Sequence, residues 1–289
     1  MNTISKGTFC SVCNGRIETI LDCGMQPVSN RFVKNNSSET EATFPLALGV
    51  CEACGLVQLN KRFQQHELIP KYDWINYTEP EEHVEMLANL IAGLKGKTIL
   101  GISPKEDSTL EKLRAKGFTT YRLTEADLNC SLGSEIIQKN LSERADDIIK
   151  KHGTFSVVIA RQILEHAYAP NEFIAALKKL TDNNGTIVIE VPESTKQLDS
   201  LDYGMLWEEH VSYFTETTFK NTLKKNGLEV NQFLVYPYRT EPSAIAFVSK
   251  SKNINIFKKM QVPMHASCEI KRAQRYGQLF NQQRTKIRE

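Results

Sequence analysis

Residues 155–193 limit what this chain can fold into more than any other stretch. Two short apolar runs, at 155–160 and 186–191, flank a segment in which Phe173, Ile174, Leu177 and Leu180 recur at three- and four-residue steps. That spacing is the period of a helix with one buried face, and the flanking runs are rich in β-branched residues. Asn183-Asn184-Gly185 between helix and second run is a stop and turn signal. Strand, loop, helix and strand make a βαβ unit. Both strands are apolar on both faces, so they belong to a parallel sheet covered by helices, an α/β fold. Ligands in such sheets bind beyond the carboxyl ends of the strands. Arg161, Gln162, Glu165 and His166 follow the first strand, and Glu190, Pro192 and Glu193 end the second, so these are candidate site residues.

The 289 residues are enough for two domains. No apolar run approaches the ~20 residues of a membrane span, and the first ten residues have no signal-peptide core, so no membrane partner and a cytoplasmic setting are expected. Lys and Arg number 36 against 34 Asp and Glu, a balance that does not call for a nucleic-acid partner. Four of the seven cysteines form two CxxC pairs, Cys10/Cys13 and Cys51/Cys54, each followed by a turn residue, Asn14-Gly15 or Gly55. In a chain with no export signal this pattern favours metal over disulfides, and four thiolates suit a closed tetrahedral zinc site. Cys23, Cys130 and Cys268 have no such pairing and are expected to be ordinary thiols. The stretch between the pairs is not basic, which argues against a nucleic-acid-binding ribbon.

Read in order, residues 1–66 form a small zinc-binding domain whose folding relies on the metal. Residues 67–95 form a linker with an aromatic cluster, Tyr72, Trp74 and Tyr77, and then a helix with Pro80 in its first turn and Val84, Leu87, Leu90, Ile91 and Leu94 as its apolar stripe. Residues 96–250 hold the α/β domain. Strands are expected at 97–102, 118–123 and 135–138, helices at 109–116 (capped by Ser108), 142–151 and 216–225, a long loop at 193–214, and an antiparallel strand pair at 228–236 and 244–249. Residues 251–289 carry nine Lys or Arg and two Glu. Ile270, Ala273, Tyr276, Phe280 and Ile287 fit one helical face there, which needs something to pack on. The segment reads as the start of a truncated C-terminal domain, whose remainder a second chain could supply; the alternative is a helix docked on the sheet domain.

The order of these features resembles the S-adenosylmethionine-dependent sugar C-methyltransferases of deoxysugar biosynthesis. The likeness covers residues 9 to about 250 and rests on "LDCGMQPVSNRF" (21–32) between the cysteine pairs, "ARQILEHAYAPNEF" (160–173), "IVIEVPE" (187–193) and "LWEEHVSYFT" (206–215). It implies a zinc-binding domain ahead of a class I methyltransferase sheet of Rossmann-like type, S-adenosylmethionine as cofactor, and a nucleotide-linked keto-sugar as substrate. Carried over residue by residue, it makes His210 the base and Glu209 its partner. Trp207 stands where relatives often have Tyr, and Tyr72 or Trp74 is the linker aromatic that reaches the site. The chemistry is coherent, because C-methylation needs a carbon nucleophile. Removing the C3 proton of a 4-keto sugar gives an enolate, and histidine has a pKa suited to that step.

The cofactor loop departs from this pattern. Class I methyltransferases place an acidic residue and a Gly-rich turn after the first strand, where missing side chains let the methionine part of the cofactor approach the backbone. Here Gly101 is followed by Ile102, Ser103, Pro104, Lys105, Glu106 and Asp107, and Thr124 and Glu125 stand where a ribose-binding acid is expected at the second strand's end. Gly101, Ser103, Asp107, Thr124, Glu125, Arg161, Gln162 and His166 are the cofactor-site candidates, with His166 a shaping residue. Either the loop holds the cofactor in a variant way through Asp107 or Glu125, or cofactor binding has been lost or altered and the chain binds a nucleotide sugar or a partner.

Overall fold

The computed structural model describes residues 5–6, 9–29, 33–35, 38, 41–69, 80–131, 133–250 and 265–288. Tyr72, Trp74 and Tyr77 lie outside them. The chain forms two compact units: residues 77–193 with 220–260, and residues 1–76 with 194–219 and 261–289.

The first of these is the α/β unit. Its strands are β6 (Thr98–Gly101), β7 (Thr119–Arg122), β8 (Phe155–Arg161), β9 (Thr181–Pro192), β11 (Leu228–Tyr236) and β12 (Ser243–Lys250). They form one sheet in the order β11-β12-β9-β8-β6-β7. β6, β7, β8 and β9 are parallel, and β12 and β11 add antiparallel at one edge. All seven residues of β8 are buried, as the two-sided apolar run requires. Helices α1 (Val84–Ala92), α2 (Asp107–Ala115), α3 (Glu125–Leu128), α4 (Ser134–His152) and α5 (Pro170–Leu180) belong to this unit, as do residues 220–225 of α7 (Glu216–Lys225). α5 begins with Pro170 in its first turn and buries Phe173, Ile174, Leu177 and Leu180.

Three local expectations differ from what is observed. Residues 135–138 are the first turn of α4, not a strand. Ile137, Leu141, Ala145 and Ile148 are all buried at helical spacing, so the apolar face continues straight through the proposed strand. α2 starts at Asp107 with Glu106 rather than Ser108 at its N-cap, and Ser103 caps the 3-10 turn at Pro104–Glu106 that precedes it. Asn183-Asn184-Gly185 does not separate helix from strand; it lies in an irregularity of β9, since Phe155 pairs with Thr181 while Val157 already pairs with Thr186. A Cβ on Gly185 would lie 2.8 Å from the Ser156 carbonyl oxygen, so the extra residues press on the neighbouring strand.

The other unit is built on the cysteine pairs. β2 (Ile17–Pro27), β3 (Thr43–Cys51), β4 (Val57–Leu59) and β10 (Ser212–Tyr213) form an antiparallel sheet in the order β10-β4-β3-β2, and β1 (Ser5–Lys6) pairs with β5 (Lys61–Arg62). The 193–214 segment, expected as a loop of the α/β domain, holds α6 (Thr195–Ser200) and β10 and belongs to this unit. So does α8 (Ala266–Arg288). Ala273 and Tyr276 of α8 are buried with Ile20, Leu21, Leu48, Leu198, Met205 and Tyr213. At Gly277 the helix touches β2 so closely that a Cβ would sit 2.0 Å from the Ile20 carbonyl oxygen. No helix among the described residues is long and apolar enough to cross a membrane.

Candidate functional site

Cys10, Cys13, Cys51 and Cys54 converge with all four sulfurs within 4.8 Å of one another. Cys10 Sγ and Cys54 Sγ are 3.7 Å apart and Cys13 Sγ and Cys51 Sγ 3.4 Å apart. A tetrahedron with Zn–S bonds of ~2.3 Å has sulfur–sulfur edges of about 3.8 Å, so the donor set fits zinc. The turns are the cause. Asn14 (φ 61) and Gly55 (φ +76) take left-handed backbone, and Asn14 N–H and Gly55 N–H donate to the carbonyls of Cys10 and Cys51. A Cβ on Gly15 would lie 2.9 Å from Cys51 Sγ, so glycine is needed for the sulfurs to meet. Hydrogen bonds from Cys13, Cys51 and Cys54 hold the Cys10 thiol far below its ordinary range, and the Gln58 amide donates to the same sulfur at 3.2 Å. With four protein ligands the site is of the closed, structural kind.

In the same unit stands the segment with the proposed base. His210 has its ring 5.3 Å from Trp207 and 6.3 Å from Tyr213, centroid to centroid. The Trp207 N–H donates to Tyr213 Oη, which donates in turn to the Trp207 carbonyl, each at 2.9 Å, so residues 207–213 form a closed loop around His210. Glu209, the expected partner, is half-buried. The buried carboxylate is Glu208, 4 % exposed, accepting from Ser29 N at 2.6 Å and Ser29 Oγ at 2.7 Å.

In the α/β unit, the strand tips are packed with the chain's own polar side chains. Glu106 is fully buried. Its carboxylate accepts from Ser103 N at 2.6 Å, Ser103 Oγ at 2.8 Å and Arg161 N at 2.7 Å. Burial pushes its pKa up to about 7 against the pull of those hydrogen bonds. Gly101 is a glycine because a Cβ there would lie 2.8 Å from Glu106 Cβ and 2.8 Å from Leu110 Cδ1. Lys105 Nζ donates to the Gln162 carbonyl at 2.8 Å, and Arg161 Nη1 to the Lys105 carbonyl at 2.7 Å. Asp107 is taken by Arg122 at 2.9 Å. Thr124 is exposed and caps α3, exchanging hydrogen bonds with Asp127, while Glu125 is exposed in the first turn of that helix. His166 Nε2 lies 3.7 Å from Glu165 Oε1, both residues buried. The fold thus brings Gly101, Ser103, Arg161 and Gln162 into one cluster, while Thr124 and Glu125 serve a separate helix start.

That cluster continues into residues that sequence reasoning did not single out. Arg161 Nε donates to Glu190 Oε2 at 2.7 Å, and His83 Nε2 lies 3.0 Å from the same oxygen. His83 Nδ1 is hydrogen-bonded to Tyr238 Oη, and Gln162 Nε2 reaches Glu190 Oε1 and Ser243 Oγ, each at 3.2 Å. Burial would raise the Glu190 carboxyl, but the His83 hydrogen bond and the Arg161 charge bring it down to about 2. Burial lifts Tyr238 to about 12. Next to it, Pro80, Glu82, Tyr236, Pro237, Tyr238, Arg239 and Thr240 line a cavity of about 540 Å³.

Comparison with known proteins matches residues 65–232, more than half of the chain, to the family model described as a methyltransferase domain. The chain belongs to the methyltransferase-domain family. It carries the S-adenosylmethionine-dependent class I fold, and residues 10–68 match the model of a zinc binding domain. A curated relative, the C-methyltransferase NovU of Streptomyces niveus, is 22 % identical over 223 residues, 73 % of this chain and 53 % of its own. The chain therefore spans about half the length of that relative. Among solved structures, the chain is similar to a 1,6-didemethyltoxoflavin-N1-methyltransferase of Burkholderia thailandensis (12 % identity, 59 % of this chain and 78 % of that one, TM-score 0.44). It is also similar to the magnesium protoporphyrin IX methyltransferase of Synechocystis PCC 6803 (19 % identity, 59 % and 83 %, TM-score 0.42).

This family implies two groups. Zinc fits the four cysteines. S-adenosylmethionine is the cofactor of the family, and in the 101–107 loop the Glu106 carboxylate accepts from Ser103 and Arg161 while Lys105 donates to the tip of β8.

Proposed function

We propose that this methyltransferase-family chain acts at a carbon of a nucleotide-linked keto-sugar, with His210 as the base that removes the proton beside the carbonyl. The observation that carries the reading is the closed 207–213 loop, which holds an imidazole between Trp207 and Tyr213 on the edge of the zinc unit's sheet. The distant likeness to a C-methyltransferase supports the same chemistry. Neutral His210 takes the C3 proton and the enolate carbon becomes the nucleophile. Glu209 orients the imidazole, Trp207 stands beside it, the linker aromatic is Tyr72 or Trp74, and S-adenosylmethionine is the methyl source of the family.

The filled cofactor loop favours a second reading, in which the chain has lost or altered cofactor binding and serves as a nucleotide-sugar-binding or partner-binding module. Product analysis with methyl-labelled S-adenosylmethionine and a nucleotide-linked 4-keto sugar separates the two. Label on a sugar carbon upholds the first reading. Label on oxygen overturns it, and so does an unlabelled sugar together with no calorimetric binding at millimolar cofactor.

A further inference from the structure

The loop that bears His210 is held by the cysteine unit at both ends, and at one of them by a residue that touches a zinc ligand. β10, which starts two residues after His210, pairs with β4, Ser212 opposite Gln58 and Tyr213 opposite Val57, and Leu59 N–H donates to the Val211 carbonyl at 3.0 Å. β4 starts three residues after Cys54. Gln58 itself is fully buried, and while its backbone pairs with β10 its side chain spans the first cysteine knuckle. Its amide nitrogen donates to Cys10 Sγ at 3.2 Å, and its oxygen accepts from Ser11 N at 3.1 Å and Ser11 Oγ at 3.3 Å. One residue therefore touches a metal ligand and the strand that ends the His210 loop. At the loop's other end, Glu208 grips Ser29, and Trp207 Nε1 donates to Ser29 Oγ at 2.6 Å. Ser29 follows directly on β2 and Val28, whose side chain is buried in the unit's core.

We infer that Gln58, Ser29 and Glu208 are positioning residues for His210, and that through Gln58 the cysteine-bound metal helps set where the base stands. The zinc unit then has a part in the reaction besides folding. Gln58 acts as an outer partner of a ligand sulfur, of the sort whose loss costs about tenfold to a hundredfold in metal affinity or activity. Glu208 rather than Glu209 is the carboxylate that fixes the loop, because it is the buried one and both its donors come from a distant part of the chain. The inference rests on His210 being the base only for its kinetic consequence; the structural coupling stands on its own readout.

That readout is the indole beside the imidazole. The chain has two tryptophans, and Trp74→Phe leaves Trp207 as the single emitter. A protonated His210 quenches it, so emission against pH reports the His210 titration. In this background Ser29→Ala and Glu208→Gln, each with its full zinc content and an unchanged far-ultraviolet spectrum, are expected to shift the titration midpoint or abolish the quenching. Glu209→Gln should leave Trp207 attached to Ser29 and its emission maximum in place. Gln58→Ala should lose zinc to a chelator about tenfold more readily and show a changed Trp207 titration while its zinc is still bound. If Ser29→Ala and Glu208→Gln leave the titration where it was, or zinc is stripped from the Trp74→Phe protein with Gln58 intact and nothing changes at Trp207, the coupling is refuted. Deuterium exchange at the keto-sugar carbon is measured alongside: a fall in kcat at constant KM in Ser29→Ala marks positioning. Exchange that survives His210→Ala while the fluorescence coupling holds rejects the base assignment and leaves this inference intact.

Discussion

Glu106 offers a test of how the strand tips are built. It is fully buried, and burial lifts its carboxyl from the ordinary 4.5 to about 7 against the pull of its hydrogen bonds and of the Arg161 charge. The folded protein therefore binds this proton more tightly than the unfolded chain does. Stability from this group is complete below about pH 4.5 and is lost as pH rises through about 7. A rise of that size corresponds to about 3 kcal/mol. Glu106→Gln removes the titration. Its amide has one oxygen for the three donors at Ser103 and Arg161, so the variant also carries a constant penalty of about 1 kcal/mol that does not vary with pH. Urea unfolding of both proteins between about pH 5 and about pH 8 isolates the titration as the change in their difference. Wild type should be the more stable at the acid end and lose about 2–3 kcal/mol relative to the variant by the alkaline end. A difference that stays flat across the range would mean that the three donors keep Glu106 ionised throughout, and the reading of a carboxylate strained by burial would be refuted.

Other consequences follow from the same contacts. Metal analysis should find about one zinc per chain, and stripping it should unfold the antiparallel sheet while the α/β unit keeps its helical signal; an intact fold with no metal would refute the four-thiolate site. Gly277→Ala should destabilise the cysteine unit by about 1–3 kcal/mol, although alanine is the better helix former, because the new Cβ meets the Ile20 backbone at 2.0 Å. A stability gain in urea melts would show that α8 does not dock on β2 in solution. Lys105→Ala should tighten S-adenosylmethionine binding in calorimetry, since its amine ties the cofactor loop to Gln162; unchanged or weaker binding would show that the tie is not what closes the loop.

Periodicity made the β8–α5–β9 unit and the antiparallel pair at the sheet edge readable, because each is a local pattern of buried side chains. The four cysteines were readable because their spacing is itself the geometry. α8 was half readable. Ala273 and Tyr276 were placed on its apolar face and are buried, but its partner β2 is more than two hundred residues away and leaves no local mark, and Ile287 is 85 % exposed. The same holds for β10, two residues long, whose pairing with β4 moves the 194–219 segment into the cysteine unit. Residues 135–138 misled because four residues are too few to tell a strand from the first turn of a helix. Glu106, Glu208, His83 and Tyr238 went unread for a different reason. Buried polar side chains are defined by the donors that surround them, and those donors come from several elements at once.

The central claim is that His210 removes a proton from carbon. Its most direct measurement is solvent deuterium entering C3 of a nucleotide-linked 4-keto sugar with no methyl donor present, followed by mass spectrometry in wild type and in His210→Ala with equal zinc content. The account predicts exchange in the wild type and background exchange in the variant. Exchange that persists undiminished in His210→Ala would contradict it.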